Sequence, residues 1–173
     1  PLSRTGIEAA GTGVPHNTEN DDFASAPGAP NLYRLTGAAQ NAIAGGKRPL
    51  SSMTPTIVEP LPGGPRPLLV LGSPGGATIP TSVLQVLINV IDHGMPLQEA
   101  VDAPRFHHQW QPDKIRHERR AFPADVKVNL IARGHALEAS KGPLGNVNAI
   151  ALAPDGSWIG AADPRRRGTA AGH

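Results

Sequence analysis

The 173-residue sequence predicts a mixed α/β layered fold of the α+β kind, and three observations carry that prediction. Strand-like apolar segments stand on both sides of a helical middle. One continuous apolar run passes through a glycine-rich turn into an amphipathic stretch. Near the C-terminus, Asp155-Gly156 separates two apolar segments, the strongest short-range hairpin signal in the chain.

Taken in order, residues 1–50 read as loop, because Gly6, Gly11, Gly13, Pro15, Pro27, Gly28, Pro30, Gly37, Gly45 and Gly46 interrupt every periodic run. Thr56-Ile57-Val58-Glu59 and Leu68-Leu69-Val70-Leu71 are then two short strands joined by a Pro/Gly-rich connection. The second is apolar throughout, so both its faces are expected to be buried. After Gly72-Ser73-Pro74-Gly75-Gly76-Ala77 a helix runs to roughly His93, with Thr78 as N-cap and Pro80 in its first turn. Val83, Leu84, Leu87, Ile88 and Ile91 give it one apolar stripe, and Gly94 stops it. Shorter helices follow over Leu97 to Val101 and Ala124 to Ala132. The hairpin pairs 147–152 with 158–161.

Composition narrows the function. Twenty Gly and 19 Pro are close to twice the usual share of ~12%, but 39% hydrophobic residues in clean runs argue against disorder throughout. Without Cys there is no disulfide framework, thiolate zinc site or cysteine nucleophile. No run approaches the ~18 apolar residues of a membrane span. A net charge of +2 and six aromatics supply neither the basic patch nor the stacking platform of a nucleic-acid binder.

Four constellations carry candidate chemistry. Glu19, Asp21 and Asp22 can bind an ammonium or a metal, or stand solvated as surface clusters ordinarily do; they lack the alternating oxygen spacing of a calcium loop. Lys47-Arg48-Pro49-Leu50-Ser51-Ser52 sets two hydroxyls beside two cations, suited to a carboxylate or to a turn before a strand. Gly75-Gly76 can aim backbone N–H groups at an anion or oxyanion, or serve as a tight strand-to-helix turn. Within Arg105-Phe106-His107-His108-Gln109-Trp110 the adjacent histidines diverge and chelate poorly, so packing and hydrogen bonding are expected. The charged runs 116–120 and 165–167 read as solvated charge. An acidic cluster, a Ser pair and an oxyanion turn together suit an amino-acid-like ligand with an acyl centre.

In that order the segments resemble the small catalytic subunit of the γ-glutamyltransferase family (γ-glutamyltranspeptidase, glutathione hydrolase). The resemblance rests on Glu19-Asn20-Asp21-Asp22-Phe23, Gly46-Lys47-Arg48-Pro49-Leu50-Ser51-Ser52-Met53, Gly72-Ser73-Pro74-Gly75-Gly76, Ala103-Pro104-Arg105-Phe106-His107-His108-Gln109-Trp110 and Ala162-Asp163-Pro164-Arg165, and it covers the chain from about Thr5 onward. It implies an N-terminal-nucleophile hydrolase fold, an αββα sandwich, of which 1–173 is a partial small-subunit domain lacking the first strands. It also implies γ-glutamyl transfer or hydrolysis on glutathione and related compounds, without a cofactor or metal. A Thr at a newly cut N-terminus attacks, with its own amine as base. Carried over, Gly75 and Gly76 donate N–H groups to the oxyanion, Ser51 and Ser52 hold the donor α-carboxylate, and Asp22 with Glu19 holds the α-ammonium.

The implied partners are the large subunit of the same precursor, a γ-glutamyl donor, and a water, amino acid or peptide acceptor, with no nucleic acid. The implied location is the periplasm or outside the cell. Some positions depart from the family pattern: Arg4 stands for Gly, Pro15-His16-Asn17-Thr18 for an apolar pair and two Asn, Asn20 for Met, and Ala77 for Ser. By alignment the nucleophile lies upstream of Pro1, and Thr5 matches an internal segment. The chain starts without Met, and is expected to be a truncated subunit that carries the donor pocket, does not turn over donor alone and folds poorly alone. The runner-up is a related amidase, such as a cephalosporin-acylase-like or capsule-anchoring transpeptidase member. From another class stands a non-catalytic homologue that binds or scaffolds.

Overall fold

A computed structural model describes residues 4–11, 14–17, 22–24, 26–31, 33–51, 53–60 and 68–172. They divide into two compact units, Pro1–Ser51 and Ser52–His173.

In the first unit, Arg4–Ala9 (β1) and Val14–Asn17 (β2) pair antiparallel, where the sequence predicts only loop. The glycines do not forbid the pair. Gly11 takes the left-handed φ of +75° that the reversal between the strands demands, and the register shifts between Arg4 and Glu8, around Gly6. Beyond β2 the chain is held by turns. Asn31 Oδ1 accepts from the N–H groups of Tyr33 and Leu35, and Gly28 N donates to Gly37 O. Phe23 is buried, and Ala24 N beside it donates at 2.9 Å to the O of Asn41, the last residue of the short 3-10 turn Ala39–Asn41.

The second unit is built on a four-stranded sheet in the order β3-β4-β8-β9, with β3 at Thr56–Val58, β4 at Leu69–Gly72, β8 at Asn148–Leu152 and β9 at Trp158–Ala161. All its neighbours are antiparallel, and β8 and β9 form the Asp155-Gly156 hairpin as predicted. Helices α1 (Ile79–Ile91) and α2 (Leu97–Asp102) cover one face. The core there joins Leu69, Leu71, Ala149 and Ala161 to Ile79, Val83, Val86, Leu97, Ala100 and Val101. Each large aliphatic side chain buried in this way contributes about 1.5–3 kcal/mol.

Two expectations are corrected here. Strand β4 buries Leu69 and Leu71 but leaves Val70 exposed, so only one of its faces is covered in this chain. Val70 lies in register with Ile57 and Ile150, both exposed too, making an apolar row across the outer face. In α1 the inward face is Ile79, Val83 and Val86, with Leu87 and Val90 packed beside it, while Leu84 and Ile91 are exposed. The predicted stripe was rotated because Val86 and Ile79 complete the i, i+3, i+4, i+7 set facing the sheet.

A second, three-stranded sheet runs β5-β6-β7, formed by Phe106–His107, Ile115–His117 and Leu137–Ala139. These strands are two or three residues long and carry no clear alternation, which is why the sequence pattern misses them. Helix α3 (Ala124–Ala132) connects β6 to β7 and ends before Gly134, as expected. Among the described residues no helix is long and apolar enough to cross a membrane.

Candidate active site

Strand β4 ends at Gly72, and the chain turns through Ser73-Pro74-Gly75-Gly76 into a single 3-10 turn, Gly76–Thr78, that leads directly into α1. Gly75 sits at φ +145°, ψ 12° and Gly76 at φ +57°, backbone positions that an L side chain resists. Neither amide donates to any described group. Two adjacent half-buried N–H groups without an acceptor are thus presented on one turn.

Their carbonyl sides are held instead. Ser73 Oγ donates to Pro74 O at 2.8 Å, and Thr78 Oγ1 donates to Gly75 O at 2.9 Å beside the Thr78 N–H at 3.2 Å. Thr78 does occupy the N-cap position of α1, but its side chain makes no capping bond because it is turned back onto Gly75.

The register Gly72↔Asn148 lays the segment before β8 alongside this turn. Asn146 N donates to Ser73 Oγ at 2.9 Å. Gly145 is tightly seated against it: a Cβ there would stand 2.5 Å from Ser82 Oγ and 2.8 Å from Ser73 Oγ. A Cβ on Gly75 would stand 2.6 Å from Thr78 Oγ1.

That segment is anchored in turn by four charged side chains, two of which the sequence reading assigned to solvated runs. Arg105, 1% exposed, donates to Asp163 Oδ2 at 2.7 Å, to Leu144 O at 3.1 Å and to Val101 O at 2.7 Å. Asp163 also accepts from Val147 N at 2.7 Å. Glu118 accepts from Leu144 N, from Arg105 N and, on both oxygens, from Arg165 at 2.8 and 2.6 Å. Arg165 further reaches Asp163 and the last carbonyls of α2. Arg165 and Glu118 are therefore structural partners of a buried cluster, and so is neighbouring His117, which is buried against Phe122. Sequence offers no periodic signal for this, since the four residues come from three separate segments at strand ends, with only Asp163 and Arg165 neighbours in the chain.

Burial pushes the Glu118 and Asp163 carboxyls up, but the hydrogen bonds from the two guanidinium groups and from backbone N–H groups outweigh it and hold both below their ordinary values. Burial lowers Arg105, partly offset by Asp163. For Arg165 burial also lowers, but Glu118 and Asp163 raise it above the usual value. The two histidines diverge as expected: His107 is buried between Thr81 and Gln109, while His108 faces Asp113.

In the first unit, Asn41 brings two predicted segments together. Its Nδ2 donates to Asp22 O at 2.6 Å, and its Oδ1 accepts from Leu50 N at 3.3 Å, one residue before Ser51. Lys47 Nζ steadies the same turn on Gln40 O and Ala42 O. Asp22 is half-buried and Ser51 exposed. Glu19 and Ser52 lie outside the described residues, and Gly75 and Gly76 belong to the second unit. One side chain bridging two main-chain segments leaves no pattern in the sequence to read. Among the described residues no three His, Asp or Glu gather as a metal set.

The α+β layers of this chain have the N-terminal-nucleophile hydrolase fold of the solved γ-glutamyltranspeptidases described below. The γ-glutamyltranspeptidase family model matches residues 4–173, and the chain belongs to that family. It is 48% identical over 161 residues to the glutathione hydrolase proenzyme of Escherichia coli (strain K12), an alignment covering 93% of this chain and 27% of that protein. The chain thus spans about a quarter of that relative. Among solved structures, an acivicin-inhibited γ-glutamyltranspeptidase superposes at TM-score 0.81 and 48% identity, covering 95% of this chain and 87% of that one. The γ-glutamyltranspeptidase of Pseudomonas nitroreducens complexed with L-DON gives 0.82 at 41% identity, covering 99% and 88%. These likenesses establish the fold as that of the family.

Proposed function

We propose that this chain supplies the donor pocket and the oxyanion donors of an enzyme that transfers or hydrolyses γ-glutamyl groups, glutathione included. The observation that carries the reading is the Gly75-Gly76 turn, whose two amides lack acceptors among the described residues while both neighbouring carbonyls are pinned.

In this mechanism the amine of an N-terminal Thr elsewhere in the whole protein takes the proton of its own hydroxyl. The Thr oxygen attacks the donor γ-carbonyl carbon, and the carbonyl oxygen, now negative, receives the N–H groups of Gly75 and Gly76. Collapse breaks the C–N bond, the departing amine leaves with the proton, and a γ-glutamyl-Thr ester remains. Water or an amine acceptor then attacks that ester in the same oxyanion site. Asp22 with Glu19 holds the donor ammonium, and Ser51 with Ser52 its α-carboxylate; Asn41 supports this by tying the Asp22 and Leu50-Ser51 segments into one unit. Cleavage of a precursor, pairing with its large subunit and export to the periplasm or medium belong to the same proposal.

The test is donor kinetics on the full-length proenzyme carrying this chain. Asp22→Ala should raise KM for γ-glutamyl-p-nitroanilide about tenfold or more, the scale of one lost charged hydrogen bond. Turnover of a cephalosporin side-chain amide with no turnover of any γ-glutamyl donor would overturn the donor assignment.

A further inference from the structure

We infer that the hydroxyls of Ser73 and Thr78 are positioning residues that fix the directions of the two oxyanion amides. The inference rests on the reading of Gly75 and Gly76 as oxyanion donors and adds what aims them.

The argument starts from the peptide group. In a trans peptide the C=O of one residue and the N–H of the next point in opposite directions. The direction of the Gly75 N–H is therefore set by the Pro74 carbonyl, and that of the Gly76 N–H by the Gly75 carbonyl. Each of those carbonyls accepts a hydroxyl: Ser73 Oγ on Pro74 O at 2.8 Å, and Thr78 Oγ1 on Gly75 O at 2.9 Å. At Ser73 the proton's place is fixed by what else the oxygen does. It accepts from Asn146 N at 2.9 Å, so its own hydrogen is the one that goes to Pro74 O.

Among the described residues Pro74 O accepts only the Ser73 hydroxyl, while Gly75 O accepts the longer Thr78 N–H bond at 3.2 Å beside the Thr78 hydroxyl. Two successive glycines carry no Cβ, and their peptide planes can rotate at low steric cost. A plane that flips turns its N–H away from the reacting carbonyl and removes one donor. Loss of a whole oxyanion donor costs about 10²–10³ in kcat. A lost clamp lowers only the population of the correctly aimed plane, so its effect is smaller, about tenfold. Thr78 shows that the clamp has displaced an ordinary role: a Thr at an N-cap normally turns its side chain forward to the second or third helical amide, and here it turns back. Ser73 is coupled through Asn146 to the segment that Arg105, Glu118 and Asp163 anchor, so the first clamp is itself held on a rigid base.

The experiment uses the full-length proenzyme, matured, with Thr78→Val, Thr78→Ser, Ser73→Ala and Ser73→Thr. The rate of γ-glutamyl-Thr ester formation is read from the pre-steady-state burst of p-nitroaniline and normalised to burst amplitude, so that only mature sites count. Thr78→Val and Ser73→Ala should each slow ester formation about tenfold with KM for the donor within about twofold. Thr78→Ser and Ser73→Thr, which keep the hydroxyl, should recover most of the rate. A purely structural role would move burst amplitude or melting temperature and leave the normalised rate untouched. Rates within twofold of wild type for both hydroxyl-less variants would overturn the inference, as would hydroxyl-keeping variants no faster than Thr78→Val and Ser73→Ala. If one hydroxyl-less variant gives no mature protein, the other with its rescue partner decides.

A crystal structure of the wild-type enzyme with a γ-glutamyl boronate separates this inference from the reading beneath it. A boronate oxygen within ~3 Å of both Gly75 N and Gly76 N supports the oxyanion assignment. An oxygen bound elsewhere removes that assignment and the clamps with it. An oxygen on the two amides combined with unchanged burst rates overturns the clamps alone.

Discussion

Breaking the Arg105–Asp163 pair should destabilise the second unit more than any surface change, and the structure says how the cost divides. In Arg105→Met, Leu144 O keeps the Ser82 hydroxyl at 3.3 Å and Val101 O keeps Arg165 at 3.0 Å. The loss therefore falls on Asp163, which retains Val147 N and Arg165, so the cost should sit near the lower end of the range for broken buried pairs, about 3 kcal/mol. In Asp163→Asn the position is worse. Both carboxylate oxygens accept from donors, so the new NH₂ must face an N–H whichever way it points, and Arg105 loses its contacting counter-charge. That variant should cost about 4–5 kcal/mol. Removing both charges leaves the Arg165–Glu118 pair whole, at 2.8 and 2.6 Å. The double variant should then be less destabilised than the sum of the singles by about 2 kcal/mol. Urea unfolding of the matured protein, followed by tryptophan fluorescence, measures all three. Singles costing under about 1 kcal/mol, or a double that is additive within about 0.5 kcal/mol, would refute the reasoning. The sign with pH follows as well. Asp163 and Glu118 have native values below the ordinary carboxylate range, so their contribution is complete above that range and fades as pH falls through the lowered values. Asp163→Asn should flatten that acid limb.

Gly145→Ala should be costly in two ways: its φ of +76° disfavours any side chain, and the new methyl meets Ser82 and Ser73. A loss of about 1–3 kcal/mol in thermal unfolding is expected, with a fall in kcat because Ser73 must move. His107 gives a separate pH signature. Burial holds its native value below the ordinary one, with Gln109 opposing and Arg116 and His108 adding to the drop. The unfolded chain thus takes up a proton first, and stability should decline as pH falls below ~6.5 toward the lowered native value. His107→Gln should remove that part of the slope in unfolding measured across pH, and equal slopes would contradict the assignment.

How much of this was legible in sequence depended on whether a feature is local. The hairpin at Asp155-Gly156, α3 and the turn into α1 are each written in a few adjacent residues, and all three stand where predicted. Gly75-Gly76 could be singled out because strand, turn and helix are contiguous. The inward face of α1 was mis-rotated, since Leu84 and Ile91 are as apolar as Val86 and only the position of the sheet decides between them. Strands β1 and β2 were missed because glycine counts say where turns can occur, not where they must. The Arg105, Glu118, Asp163 and Arg165 cluster was invisible for the opposite reason: up to 60 positions separate its members, and each alone resembles solvated charge. Family resemblance suggested Asp22, Ser51 and the Gly pair as site residues, but it had no reason to raise Asn41, Ser73 or Thr78.

The buried quartet also constrains how this chain can vary. Two positive and two negative side chains are so interlinked by ion pairs that replacing one removes a partner from another. A neutral single step away from the set is therefore closed, while paired replacements, Arg105 with Asp163 or Glu118 with Arg165, remain open. In a library selected for folding, these positions should drift as couples or stay fixed, and a lone change at any one should be rescued mainly from the other three.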